Sequence, residues 1–455
     1  SSPVMMELRI RACHMHGHFT ASDNRAPAVS SRHRLSQPPQ FFYDRLSHPP
    51  ATFKHEKLKA EVRLPAARRF VREAKLNEVF DGPLSSIGLI VQGGLYNNLL
   101  RALEVHGLTD AEGRSRIPVL ALNVVYPLVP EELSAFCEGK DAVLVLEEGQ
   151  PEFIEHDAGT LLRRAGVQIR LHGKDCLPMA GEYSTEVMVR GLAAFLALES
   201  PALDLSAGRD WLARADDLRT RAAGLLGALP ARPPQFCTGC PERPVFAAIK
   251  LAEREIGTPH VSGDIGCHAF ATFEPFSLGN SILGYGMSLA SAAGVAPMMQ
   301  KRPLAIMGDG GFWHNGLLTG VASNLLNKGD AVLVILKNGY SSATGTQELL
   351  SSPPEAARRE ALGQSAAHAD RTIESALQGL GVRWVRTVVS YHVGQMAKTL
   401  REAFTTQEPG LKVIVAEGEC QLERQRRLRP AVAALLGQGE RVVRTRFGVD
   451  ENVCT

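Results

Sequence analysis

From Ser85 onward the apolar residues come in short unbroken runs, each followed by a stretch in which they recur every three or four positions. "SIGLIVQ", "IPVLALN", "DAVLVLEE" and "VQIRLHG" have the length of buried strands. Between them, "LYNNLLRALEVHG", "PEELSAFCEG" and "FIEHDAGTLLRRAG" carry helical spacing and end at glycine. Strands apolar on both faces, alternating with helices, predict a parallel doubly wound sheet over residues 83–200. The rhythm resumes at Phe236. It includes the small-residue helix "SILGYGMSLASAAGVA", the strand "PLAIMG", a helix after Gly310 and the strand "AVLVILKN". It then runs through "VRWVRTVV", "VGQMAKTLREAF" and "LKVIVAEG". The fold class is therefore α/β, with two doubly wound parallel-sheet domains.

The segments around these domains are less regular. Within residues 1–82, "PVMMELRIRA" fits a buried strand, and "HRLSQPPQFFYDRLSHPPATF" fits a connection that wraps over a surface, because paired prolines oppose helix and strand alike. "LPAARRFVREAKLNEVF" has a helical period. Arg, Ala and Pro enrichment marks residues 201–235 as a helical linker before the second domain, 236–420, and an arginine-rich tail fills 421–455.

Composition changes this picture mainly by exclusion. The 455 residues carry a formal net charge of +2, with 44% hydrophobic and 22% charged residues, so charge gives no argument for a nucleic-acid or membrane partner. No stretch approaches the roughly 20 apolar residues of a membrane span, and no basic start leads into a signal region. A cytoplasmic chain is expected, and its start at "SSPVMM", without an initiator Met, reads as a piece of a longer one. Eight cysteines without a secretory signal point to metal or redox chemistry before disulfides.

The candidate chemistry sits at the ends of two strands. In an open parallel sheet, ligands bind beyond the carboxyl ends of the strands. Asp309 follows "LAIM" and Asn338 ends "VLVILK", so if the two strands are neighbours both side chains reach one rim. A carboxylate, a carboxamide and a backbone carbonyl near Tyr340 are hard oxygen ligands suited to Mg²⁺ with a phosphate. Gly308, Gly310 and Gly311 let the backbone approach that phosphate at a helix start. A capping aspartate in an ordinary strand–turn–helix is the alternative, and the asparagine at the next strand end argues against it.

Four cysteines form a second pattern. Cys237 and Cys240 make C-x2-C, Cys267 follows in "DIGC" and Cys420 in "EGEC". A pair on one tight loop plus two distant thiols can complete a four-thiolate shell for Zn²⁺ or for a [4Fe–4S] cluster, or can be reduced structural cysteines. Cys13, Cys137 and Cys176 read as structural thiols. His268 and His314 are each candidates to face a diphosphate or cofactor, and Ser341, Ser342 and Thr344 supply hydroxyls in the loop after Asn338. Met287 reads as core and Glu147–Glu148 as a solvated pair. His14, His16 and His18 alternate without metal-ligand partners.

Gly308-Asp309-Gly310, 27 residues and then Asn338 resembles the thiamine diphosphate signature. The segments "FCTGCPERPVFAAIK", "DIGCHAF", "GDGGFWHNG" and "SSATGTQ" together resemble the thiamine-binding (alpha) subunit of the indolepyruvate:ferredoxin oxidoreductases, one branch of the 2-oxoacid:ferredoxin oxidoreductases. "IGLIVQGG", "VLVLEEGQPEFIE" and "HGK…LPMAGE" extend the likeness through the first, transketolase C-terminal-like domain. "PVMMELRIRACHMHG" resembles the end of a pyrimidine-binding domain. The resemblance implies thiamine diphosphate held by Gly266, His268, Gly308, Asp309, Gly310, Gly311, Asn338, Ser342 and Thr344, Mg²⁺ on Asp309, Asn338 and the Tyr340 carbonyl, and [4Fe–4S] on Cys237, Cys240, Cys267 and Cys420. It implies oxidative decarboxylation of an aryl 2-oxoacid to acyl-CoA, with coenzyme A, ferredoxin and a smaller beta subunit as partners in a hetero-oligomer. The glutamate that activates the cofactor is expected before Ser1, and a further cysteine cluster after Cys454. The alternatives are a non-oxidative thiamine decarboxylase or carboligase, with Zn²⁺ or free thiols at the cysteines, and a catalytically incomplete fragment.

Overall fold

The computed structural model describes residues 4–8, 17–18, 20, 42, 46–227, 233–352 and 372–443. The chain forms two compact units, Ser1–Leu229 and Pro230–Thr455.

In the first unit five strands lie in the order β1-β3-β2-β4-β5. They are β1 (Glu78–Phe80), β2 (Ile87–Gln92), β3 (Val119–Leu122), β4 (Ala142–Leu146) and β5 (Arg170–His172). β2 to β5 run parallel, as their apolar runs predict, and β1 adds an antiparallel edge through Glu78↔Ala121. Alternate residues of β2 enter two separate cores: Leu89 and Val91 pack with the helices Tyr96–Val105 and Thr185–Glu199, and Ile90 with Pro130–Cys137 and Phe153–Arg164. Burying both faces is what makes these strands continuously apolar.

Several expectations for this unit need correction. Val4–Leu8 are exposed and carry no regular structure, so "PVMM" is not a buried strand; the rest of that segment, with Cys13, His14 and His16, lies outside the described residues. The wrapping connection ends in helix, because Ala51–Leu58 continues through a π-helical stretch Lys59–Arg63 into Leu64–Glu73. The helical period of "LPAARRFVREAKLNEVF" stops at Glu73, and "EVF" becomes β1. Glu147 is buried rather than solvated: its carboxylate accepts from the N–H groups of Ile154 and Glu155 at 3.0 and 3.1 Å, occupying the start of the helix Phe153–Arg164. Glu148 accepts from the Tyr183 N–H at 2.5 Å. The segment read as a helical linker, residues 201–235, holds the helix Ser206–Leu226. Its Trp211 and Leu212 pack on the first core, and Arg219 and Asp216 bond Glu186 and Arg190 of Thr185–Glu199.

The second unit holds a six-stranded sheet, β12-β13-β9-β8-β6-β7, parallel throughout. Its strands are β6 (Val261–Gly263), β7 (Ser281–Ile282), β8 (Leu304–Gly308), β9 (Val332–Lys337), β12 (Trp384–Val389) and β13 (Lys412–Glu417). A small hairpin, β10 (Tyr340–Ser341) with β11 (Gln347–Glu348), stands apart. Leu304 and Ile306 of β8 face one core and Ala305 and Met307 the other. The small-residue helix is shorter than its sequence suggests: "SI" is β7, and helix begins only at Ser288. The tail beyond Cys420 forms the helix Gln421–Gly437, with no buried residue and Pro430 inside it.

Candidate functional site

β8 and β9 are direct neighbours, with Gly308 paired to Leu336, so their carboxyl ends lie side by side. Asp309 opens the short helix Asp309–Gly311, which continues as the wider π-helical turn Phe312–Ala322. Asn338 stands one residue past β9. A cavity of about 150 Å³ lies over these two strand ends. Its lining includes Gly266, His268, Gly308, Asp309, Gly310, Gly311, Asn338, Tyr340, Ser342 and Thr344. The residues expected to hold cofactor or magnesium are thus all among those that line this cavity.

Buried Asp309 accepts from the Gly339 N–H at 2.6 Å and the Gly310 N–H at 3.0 Å. Burial pushes its carboxyl up to about 7, against the pull of those backbone donors. The Asn338 carboxamide is fixed in orientation. Its Nδ2 donates to Glu242 Oε1 at 3.1 Å, which turns Oδ1 the other way. The Ser342 hydroxyl lies 2.8 Å from Asn338 Oδ1 and 3.2 Å from the Tyr340 carbonyl oxygen. Asn338 Oδ1 and the Tyr340 carbonyl oxygen thus both lie within reach of one hydroxyl, and Asn338 Oδ1 also accepts from the Tyr340 N–H at 3.2 Å.

Glu242 is the residue that sequence reasoning missed. It is buried, its Oε2 has no partner among the described residues, and burial raises its carboxyl to about 8, with the Asp309 charge adding to the rise. His268 is also buried. Desolvation lowers its pKa to about 4, a bond to the Asp264 backbone notwithstanding, so the ring is neutral and its Nε2 is left without a partner. Asp264, also missed, ends β6 as Asp309 ends β8. It accepts twice from the Gly286 N–H, at 2.8 and 2.9 Å, and clamps a turn where Gly286 has φ +80°. A Cβ there would meet the Gly311 carbonyl oxygen at 2.6 Å, so the turn presses directly on the Asp309 helix. Tyr285 in this turn lines the cavity, and its hydroxyl bonds Ser341 Oγ at 2.8 Å.

Other expected residues are placed less centrally. His314 packs against Tyr285 in a tilted ring pair, centroids 5.1 Å apart, and is not among the lining residues. Thr344 is at the exposed mouth, its hydroxyl bonded to Gln347. Met287 is half-buried, and its sulfur accepts from Asn315 Nδ2 at 3.2 Å.

The four cysteines share one neighbourhood. Cys240 N–H donates to the Cys237 carbonyl at 3.0 Å, forming a tight turn with Gly239 at φ +74°. The Tyr391 hydroxyl bonds the Gly239 carbonyl, and Gly418 abuts Pro241, which brings the C-x2-C turn against the exit of β13. Cys420 follows that exit, and its N–H donates to the Asn338 carbonyl at 3.1 Å. Burial, then the Glu242 carboxylate, push the Cys240 and Cys267 thiols up to about 12; Cys267 also feels Cys420 and Cys237, and Cys240 feels Cys267. Among the described residues, the one group with three such donor atoms within 4.8 Å of one another is His172, Asp175 and Cys176, so no three of these four thiols are that close. Cys137 is buried, and its thiol is raised to about 11 by desolvation.

Residues 264–416 match the family model of the thiamine pyrophosphate enzyme C-terminal TPP-binding domain. Curated relatives share the same name, indolepyruvate oxidoreductase subunit IorA. The protein of Methanothermobacter marburgensis is 27% identical over 92% of this chain and 62% of its own length, and that of Archaeoglobus fulgidus is 29% identical over 79% and 52%. The chain thus spans less than two thirds of these relatives. Among solved structures, a 2-oxoglutarate:ferredoxin oxidoreductase from Magnetococcus marinus overlaps 42% of this chain and 66% of its own, at 16% identity and a TM-score of 0.34. A thiamin diphosphate-dependent enzyme from Mycobacterium smegmatis overlaps 78% and 64%, at 14% identity and 0.28. The resemblance read from the cysteine and Gly-Asp-Gly segments is the one these relatives bear.

Proposed function

We propose that this chain, a relative of the IorA subunits of indolepyruvate oxidoreductase, holds the diphosphate and magnesium end of thiamine diphosphate and, beside it, a [4Fe–4S] cluster. The observation that supports the reading is that Asp309, Asn338 and Tyr340 line one cavity, with Asn338 Oδ1 and the Tyr340 carbonyl oxygen both within reach of the Ser342 hydroxyl. The residues fit the group. Hard oxygens suit Mg²⁺, and a cation would remove the cost of ionising buried Asp309. Gly310 has no Cβ, and the space one would need is taken by the Tyr285 hydroxyl, which can thus reach the cavity beside Asp309.

When bound, thiamine diphosphate supplies the carbanion chemistry that releases CO₂ from a 2-oxoacid. The chain's own residues orient and exclude. Glu242 turns Asn338 so that its oxygen faces the cation site, Asp264 presses the Gly286 turn onto the diphosphate helix, and neutral His268 offers one unpartnered nitrogen without adding charge. Cys237, Cys240, Cys267 and Cys420 would hold the cluster that accepts electrons singly on the way to ferredoxin. Four thiolates of this pattern suit either a [4Fe–4S] cluster or Zn²⁺, and a redox cluster beside the thiamine site gives the electrons an acceptor. An arylpyruvate such as indolepyruvate as substrate, coenzyme A as acyl acceptor and a smaller partner subunit complete the reading by analogy with the relatives.

Two measurements test it. Asp309→Ala should weaken magnesium-dependent thiamine diphosphate binding at least 100-fold in a calorimetric titration, and unchanged affinity would remove the magnesium assignment. Anaerobically purified protein should contain iron and sulfide and give a reduced-cluster EPR signal that Cys267→Ser abolishes. Zinc in place of iron would return the non-oxidative reading.

A further inference from the structure

We infer that the turn after β5 in the first unit is a separate transition-metal site, in which His172 Nδ1, Asp175 Oδ2 and Cys176 Sγ bind one Zn²⁺ with water in the fourth position. This proposal is independent of the thiamine site, and either can fail alone.

The turn is built tightly. The Gly173 N–H donates to Asp175 Oδ1 at 2.7 Å, while the N–H groups of Cys176 and Leu177 donate to the Gly173 carbonyl at 3.1 and 2.9 Å. Those bonds fold three donors of three kinds, nitrogen, oxygen and sulfur, to within 4.8 Å of one another. Asp175 Oδ1 is engaged by the backbone, which leaves Oδ2 aimed at His172 Nδ1, 2.5 Å away.

The other side of the imidazole carries the stronger argument. His172 Nε2 lies 2.9 Å from Glu199 Oε1, and Arg170 grips the same carboxylate through Nε and Nη2 at 2.9 and 2.6 Å. The Glu199 side chain is only 8% exposed, so few waters compete for its oxygens. A neutral imidazole has one N–H and one lone pair, yet His172 faces a carboxylate at each nitrogen. If Nε2–H donates to Glu199, the Nδ1 lone pair confronts the Asp175 oxygen, and something positive must sit between them. A second proton can do this, and so can a metal. The Cys176 thiol lies at the same gap, hydrogen-bonded to Asp175, and a metal there would take the place of both the thiol proton and the second ring proton.

Carboxylate–histidine–metal relays of this form fix the ring and raise its basicity. Imidazole, carboxylate and thiolate together suit Zn²⁺ better than Mg²⁺ or Ca²⁺. Ligand atoms at about 2.0–2.1 Å around a tetrahedral ion stand roughly 3.3 Å apart, so Nδ1 and Oδ2 would open by less than 1 Å. Asp175 is exposed on its outer side, and water can reach the fourth position. The thiol proton leaves as the metal enters.

The test uses Co²⁺ and Zn²⁺ on the complete chain. The difference spectrum between Co²⁺-loaded wild type and Cys176→Ser isolates this thiolate from the four in the second unit, and should show thiolate-to-cobalt charge-transfer absorption. With Zn²⁺ present, alkylation of Cys176, read by peptide mass spectrometry, should slow at least tenfold, and His172→Gln should abolish that protection. Glu199→Gln, which touches the far side of the ring and Arg170 but none of the three donor atoms, should weaken Zn²⁺ at this site about 10-fold. Identical cobalt spectra, or equal alkylation of wild-type Cys176 with and without Zn²⁺, would overturn the proposal. The alkylation comparison needs no variant to fold.

Discussion

The carboxyl-end rims of the two sheets carry similar residues and treat them oppositely. In the first unit, Glu147 caps a helix, Glu148 holds the Tyr183 N–H, and Lys174 Nζ bonds the Glu147 carbonyl at 2.5 Å and the Tyr183 hydroxyl at 2.8 Å. The rim consumes its own hydrogen-bonding capacity. In the second unit, Glu242 Oε2 and His268 Nε2 are buried without a partner among the described residues, and burial raises the carboxyls of Glu242, Asp309 and Asp264. Buried polar atoms are ordinarily paired, and each exception calls for an explanation. A doubly wound rim becomes a site where the fold leaves such atoms facing a cavity, and a scaffold where it does not.

That contrast can be broken in several ways. The largest effect concerns Asp264, whose carboxyl burial pushes from 3.8 up to about 6. A raised folded pKa means stability that is full below the unfolded pKa and lost as pH rises through the folded one. The metal-free chain should therefore lose roughly 3 kcal/mol between about pH 4 and pH 7 from this group. Asp264→Asn should reduce the pH slope in denaturant titrations by about one proton, leaving the part due to Asp309 and Glu242, and an unchanged slope would mean the group is solvated. Next comes Gly310→Ala. A Cβ there meets the Tyr285 hydroxyl and lies 3.1 Å from Ser341 Oγ, so thermal unfolding should report a loss of about 2 kcal/mol. Glu242→Leu should free the Asn338 carboxamide to turn and weaken thiamine diphosphate binding about 10-fold; an unaltered affinity would show that Asn338 is held by Ser342 and the backbone alone. The smallest effect belongs to the first rim. Glu147→Ala should cost about 1 kcal/mol through the lost helix cap while leaving cofactor affinity unchanged.

What was legible in the sequence follows from range. Strands such as Val332–Lys337 are apolar on both faces because both faces are buried, and that pattern needs no distant partner to be read. Asp309 and Asn338 were legible because consecutive strands proved to be neighbours. Glu242 was not, since the contact that gives it meaning is with Asn338, 96 positions away. Its place two residues beyond the C-x2-C pair was the available signal. Asp264 stood at a strand end just as Asp309 does, but Val261–Gly263 is too short to announce itself as a strand. Glu147 looked solvated because its N–H partners lie seven and eight residues ahead, across a loop. "SILGYG" read as helix because its residues are small and apolar, whereas Gly286 at positive φ makes it a turn. The helix Gln421–Gly437 was missed for the opposite reason: with no buried face it leaves no apolar stripe to find.

If one rim is a ligand site and the other a closed scaffold, cofactor should order only the ligand site. Amide hydrogen exchange of the complete chain, with and without thiamine diphosphate and Mg²⁺, compares the two rims in one experiment. The predicted result is added protection at residues 264–268, 285–286, 308–311 and 338–344, with none at 147–155 or 174–183. Protection confined to the first rim, or none at either under saturating cofactor, would contradict it.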